Sequence, residues 1–86
     1  MNVVEKLSEL GYEDIELLTY PNYDDALIGV TTEGRAVYDY DMMVECLIRH
    51  DGFTHEDAVE WIEYNTLRAL PYYGNTAPIV IHRFSE

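Results

Sequence analysis

Ala26-Leu27-Ile28-Gly29-Val30-Thr31-Thr32-Glu33-Gly34-Arg35-Ala36-Val37-Tyr38 reads as a strand, a tight turn and a returning strand. Thr32 to Arg35 is the hairpin loop, because Gly34 takes positive φ without a steric penalty and the flanking runs are apolar. Gly29 weakens the first strand or marks a close backbone approach. Working backwards, Tyr20-Pro21-Asn22-Tyr23-Asp24-Asp25 is a turn, since proline presets φ and Asn and Asp bond their own backbone. Working forwards, Asp39 or Asp41 is placed to cap a helix by accepting from its free amides. Met43, Val44, Leu47 and Ile48 supply that helix with an apolar face up to Gly52.

The ends of the chain complete the pattern. Val3, Val4, Leu7 and Leu10 recur at helical spacing, with Asn2 as cap and Gly11 as terminator. Residues 12 to 18 fit either a second helical turn or an extended edge. Thr54 caps a third helix, with Asp57 in the capping-box position, and that helix turns Ala58, Val59, Ile62, Thr66, Ala69 and Leu70 inward until Pro71 stops it. After a Tyr72-Tyr73-Gly74-Asn75 loop, the β-branched run Ile79-Val80-Ile81 suits a central strand, and it must pair with the hairpin because two strands alone are marginal in water. The expected fold is α+β in the order α-β-β-α-α-β, a three-stranded antiparallel sheet with three helices, in one acidic domain over residues 1–86.

Composition limits what such a domain can do. Seventeen acidic residues stand against five basic ones in 86, a formal net charge of −12. That charge repels nucleic acid and anionic membrane, so the expected partner is a basic surface. Disorder is the cheap explanation of high charge, but 48% hydrophobic and 13% aromatic residues argue for burial and a fold. A single cysteine, Cys46, forms no internal disulfide, and no apolar run approaches the ~20 residues of a membrane span. With no signal-peptide core at the N-terminus, the expected location is a cytoplasm, that of a host cell.

The acidic residues concentrate in clusters. Glu13, Asp14 and Glu16 follow the first helix, Asp24 and Asp25 precede the first strand, and Asp39, Asp41 and Glu45 open the second helix. Glu56, Glu60 and Glu63 stand at i, i+4 and i+7 on the third helix with Asp57 beside them, a carboxylate row stepping by about 4.5 to 6 Å. That spacing is comparable to the charge spacing along a nucleic-acid strand. One reading is a surface that imitates a phosphate backbone and occupies a basic groove. The other is a solvated helix face whose acids favour the helix N-terminus and solubility.

Other chemistry has less to stand on. Cys46 and His50 at i, i+4, followed by His55, Glu56 and Asp57, are the residue types of a mixed metal site. Cys46 beside Leu47 and Ile48 instead reads as a small buried hydrophobe and His50 as a helix C-cap, so neither metal nor cofactor is expected. No nucleophile triad, phosphate loop, dinucleotide fingerprint or HExxH is present, and an enzyme is not expected. His82 alternates with Val80 and Phe84 and reads as packing or rim. Tyr38, Tyr40, Tyr64, Tyr72 and Tyr73 with Trp61 are either buried rings with hydroxyls at the rim or exposed interface anchors. Arg68, one turn from Tyr64, is placed to pair with Asp39 or Asp41.

Arg35-Ala36-Val37-Tyr38-Asp39-Tyr40-Asp41-Met42-Met43 and Glu63-Tyr64-Asn65-Thr66-Leu67-Arg68-Ala69-Leu70-Pro71-Tyr72 resemble a family of small proteins of bacteriophages and prophages. The resemblance spans roughly residues 23 to 81 and implies genomic company without a mechanism. In size and acidity the chain is also similar to phage-encoded inhibitors of bacterial defence, including anti-CRISPR and DNA-mimic proteins, a likeness of composition that assigns no residue roles. The resulting expectation is a non-enzymatic inhibitor of a host nucleic-acid-binding defence complex. The partner-binding candidates are Glu56, Asp57, Glu60, Glu63, Asp24, Asp25, Asp39, Asp41, Tyr64 and Tyr72. The alternative is a structural or regulatory interaction module, homodimeric through its aromatic surface, whose acidity serves solubility.

Overall fold

The hairpin forms where the loop chemistry places it. In the computed structural model, which describes residues 9, 11, 15–18 and 23–84, β1 spans Leu27–Val30 and β2 spans Ala36–Asp39. The Thr31 amide donates to the Arg35 carbonyl (2.8 Å) and the Gly34 amide to the Thr31 carbonyl (2.9 Å), closing the loop around Gly34 at φ 86°. The β1–β2 pairing is antiparallel. Leu27 faces Tyr38 and Gly29 faces Val37, so Ile28 is an extra residue, a bulge beside the glycine. Of the helix expected before Gly11 only Glu9 is among the described residues, and it is helical; of the turn expected over residues 20–25, residues 20–22 lie outside them and Asp24–Ala26 form a 3-10 turn.

The third strand corrects two expectations. β3, Ile79–Ile81, runs parallel to β2, with Val37, Tyr38 and Asp39 opposite Ile79, Val80 and Ile81, so the sheet is mixed instead of antiparallel. Its order is β1-β2-β3, which makes β2 the central strand and puts the β-branched run on an edge. The parallel direction follows from the connection. The segment from Tyr40 to Thr76 is wholly occupied by helical structure and corners, and a crossover of that length returns the chain to the end of the sheet where β2 began. Centrality is carried by Ala36 and Tyr38, both fully buried on one face of β2, whereas Ile79, Val80 and Ile81 are only half-buried.

Helix α1, Tyr40–Asp51, begins on Asp39, whose carboxylate accepts from the Met42 amide (3.0 Å), and ends on Gly52 in the left-handed conformation at φ 71°. Both termini follow from capping chemistry alone. Met43, Val44, Cys46 and Leu47 form its buried stripe, while Ile48, expected inside, is exposed. Helix α2, His55–Trp61, starts on Thr54, whose hydroxyl accepts from the Asp57 amide (3.1 Å). The expected single third helix then changes character. Ile62–Thr66 is a π turn, Leu67–Ala69 one α turn, and Leu70–Thr76 a tighter 3-10 run, kinked at Gly74.

The π turn has a visible cause. The Asn65 side-chain amide donates to the Trp61 carbonyl (3.2 Å), the acceptor that the Asn65 backbone amide would use in an α-helix, and downstream the Leu67 amide reaches back to Ile62. Buried Thr66 exchanges a 2.9 Å hydrogen bond with Tyr23 and fixes the widened turn against the core. Pro71 does not release the chain from helical winding; it sits in the first turn of the 3-10 run, where its missing N–H is not needed.

The core lies between the sheet and α1, α2 and the π turn. Tyr23, Tyr38, Met43, Leu47 and Ile62 are its largest fully buried side chains, and burial of each of the aliphatic ones contributes roughly 1.5–3 kcal/mol. Tyr23 and Tyr38 meet edge to face at 6.5 Å, and the Tyr38 hydroxyl accepts from the Leu18 amide (2.9 Å). That bond ties Leu18, in a segment without regular secondary structure, to the central strand. Among the described residues no helix is long and apolar enough to cross a membrane.

Candidate functional site

Ligand clefts in sheets with parallel strands form beyond the carboxyl ends of those strands. Here β2 ends at Asp39 and β3 at Ile81, side by side, and the residues that follow each strand converge. Asp39 is buried, and its Oδ2 pairs with Arg83 Nε at 2.8 Å while Oδ1 caps α1. The partner of Asp39 is thus Arg83, and the expected pairing of Arg68 with Asp39 or Asp41 is not made. The Arg83 guanidinium also reaches Met42 Sδ at 3.7 Å. Next along the chain, Tyr40 and His82 stack with centroids 4.6 Å apart, and Tyr40 Oη donates to Glu63 Oε2 at 3.2 Å.

This links three elements in one surface: the start of α1, the π turn and the tail after β3. Burial raises the Tyr40 pKa, and the carboxylates of Glu63 and Asp41 push it the same way, so the phenol stays protonated and donating. Phe84, at 98% exposure, continues the tail, and Tyr64, at 60%, follows Glu63 in the π turn. Arg68 lies over the Tyr64 ring, 5.1 Å from its centroid. The chain neighbours of this surface thus include the exposed carboxylate of Asp41 and the exposed rings of Tyr64 and Phe84.

The remaining candidates distribute unevenly. Glu56, Asp57 and Glu60 are exposed on α2, whereas Glu63 belongs to the π turn and is turned to Tyr40, so the carboxylate row loses its regular helical spacing after Glu60. Asp41 is exposed in the first turn of α1. Asp24 and Asp25 are exposed in a 3-10 turn before β1, and Asp25 is approached by His50 Nε2 (3.4 Å) and Arg49 Nη2 (3.9 Å) at the far end of α1. Asp39 is removed from the candidate surface, because its charge is spent on Arg83 and the α1 cap. Tyr72 is 91% exposed, while Tyr38 and Tyr23 are buried, so the tyrosines divide between surface and core.

Tyr40, His82, Arg83 and Phe84 were not legible as a group. Their one signal was adjacency to the strand ends, and it carries meaning only once β3 is known to run parallel to β2. Cys46 is buried, and its thiol is pushed up first by burial and then by the Asp25 charge, which disfavours the thiolate. Among the described residues no three His, Cys, Asp or Glu side chains gather closely enough to hold a metal ion. A separate open cleft of 360 Å³ is lined by Glu33, Arg35, Gly74 and Asn75, and there Arg35 Nε is held on the Ala77 carbonyl (2.8 Å).

The charge layout is the broadest feature. Every acidic side chain among the described residues is exposed except Asp39. The described arginines are engaged instead: Arg83 with buried Asp39, Arg35 with a backbone carbonyl, Arg68 with a ring and Arg49 with Asp25. In comparisons with known proteins, no family model, no curated protein and no solved structure matches this chain.

Proposed function

We propose that this protein is a non-enzymatic, phage-type inhibitor that engages the basic nucleic-acid groove of a host defence complex through its acidic surface, an anti-CRISPR protein being the best single case. The observation that carries this reading is the separation of charge. Most outward carboxylates keep their field because three of the four described arginines are drawn onto a buried acid, a carbonyl and a ring, and only Arg49 approaches an exposed acid, Asp25. A net charge of −12 costs stability through self-repulsion, and a cationic groove is the partner that relieves it.

The test is competition with nucleic acid for a purified CRISPR effector complex. Replacing Glu56, Glu60 and Glu63 together by Gln should weaken inhibition at least tenfold more than replacing Glu9, Glu16 and Glu33, since field focusing depends on where charge sits. Inhibition should also fade as salt rises, because exposed pairs are screened beyond about 8 Å at physiological ionic strength. Equal losses in the two triple variants, or inhibition unaffected by salt, count against the groove.

Exposed Tyr64, Tyr72 and Phe84 favour a second reading, a homodimeric interaction module. Sedimentation separates the two. A dimer dispersed by Tyr72→Ala supports the module, and a monomer at all concentrations excludes it.

A further inference from the structure

Arg68 has exposed carboxylates within a turn or two of sequence, Glu60 and Glu63 among them, yet it makes no ion pair among the described residues. Its guanidinium instead lies 5.1 Å from the Tyr64 centroid. We infer that Tyr64 is an arginine-stacking subsite, occupied by Arg68 in the free protein and taken over by an arginine of the basic partner on binding. The inference rests on the reading above that the partner is basic, and it names the side chain recognised and the ring that recognises it.

Three features of the ring support this role. It is 60% exposed with Arg68 over it, so a second molecule reaches the ring by displacing Arg68. It stands on a fixed base, for the flanking residues of the π turn are tied down by Asn65 to the Trp61 carbonyl and by Thr66 to Tyr23. Two acids precede it in the chain, exposed Glu60 one helical turn earlier and Glu63, whose carboxylate accepts from Tyr40 Oη, and their charge favours a cation in this part of the surface. A planar guanidinium is weakly hydrated and stacks on such a ring, whereas a lysine ammonium keeps its water and binds as a point charge. The subsite therefore selects arginine over lysine at equal charge.

The probes are hexa-arginine and hexalysine peptides, titrated calorimetrically against the intact protein at low ionic strength. Hexa-arginine should bind more tightly than hexalysine, by less in the wild type than the roughly two- to fivefold expected of one exposed cation–ring contact, because the incoming arginine exchanges for Arg68, and by that full factor in Arg68→Ala. Tyr64→Leu should bring the ratio to one while leaving hexalysine affinity unchanged, and Tyr64→Phe, which keeps the ring, should keep the ratio. Arg68→Ala should widen it by vacating the ring; that variant also tightens both peptides by removing a positive charge, so the ratio is the quantity read. Equal binding of the two peptides by the wild type, or a ratio unmoved by Tyr64→Leu but lost in Tyr72→Leu, overturns the subsite and leaves the acidic reading standing. Binding of neither peptide overturns both.

Discussion

At the scale of single residues, Tyr38 joins sequence to stability most directly. Its ring fills the core beneath the central strand and its hydroxyl accepts the Leu18 amide, while burial pushes its pKa up to about 12 from 10.0. A phenol is neutral when protonated, so a folded-state pKa above the unfolded one means stability that is complete below pH 10. That stability is lost as pH rises through 12. Tyr23, also raised by burial, adds to the same slope. Denaturant melts should therefore lose on the order of 2 kcal/mol between pH 9 and pH 12. Tyr38→Phe should be less stable at neutral pH by about 1–3 kcal/mol, because the Leu18 amide loses its acceptor, yet should show a shallower alkaline slope. A wild-type stability flat to pH 12 would contradict this account of the core.

At the scale of elements, the corner between α1 and α2 is set by capping, and the π turn by competition for a carbonyl. Gly52 holds φ 71° with nothing within 4 Å of where a Cβ would stand, so substitution there tests backbone conformation without packing. Gly52→Ala should cost about 1 kcal/mol and Gly52→Asn roughly half as much, since asparagine tolerates the left-handed region. Thermal melts of the two variants give the comparison, and equal melting temperatures would show that the corner is held by something other than its cap. The π turn matters more for the surface than for stability. By widening the helix at Ile62–Thr66 it accompanies the turning of Glu63 to the Tyr40 hydroxyl and the placement of Tyr64 on the outside. Such widened turns recur at binding sites, where they re-aim side chains that a regular helix would carry past.

Across the whole molecule, uncompensated acid acts in opposite directions on folding and on the proposed binding to a basic groove. The outward carboxylates repel one another in the folded state, so added salt should stabilise the free protein, whereas the same salt should weaken its hold on a basic partner. A gain of 1 kcal/mol in a domain of this size raises the melting temperature by about 4–8 °C, and a rise of a few degrees between low and high sodium chloride is the expected result. A melting temperature that falls with salt would mean that attractive pairs such as Asp39–Arg83 dominate over the outward acids. Opposite signs for stability and binding, measured in one buffer series, would identify the same surface in both.

Local chemistry in the sequence determined the hairpin at Gly34, the caps at Asp39 and Thr54, the stop at Gly52 and the inward face running from Ala58 through Ile62 to Thr66, because each depends on residues within a turn or two of one another. It also determined the negative surface, since charge is a sum over residues. Tertiary structure alone decided the direction of β3 and the central place of β2, for Ile79-Val80-Ile81 has the same appearance in either orientation and at an edge or a centre. From that single topological choice follow the pairing of Asp39 with Arg83 and the tilted ring contact of Tyr40 with His82. These contacts join residues some forty positions apart, and which acid keeps its charge for a partner depends on where the chain returns, a fact that no local pattern of residues contains.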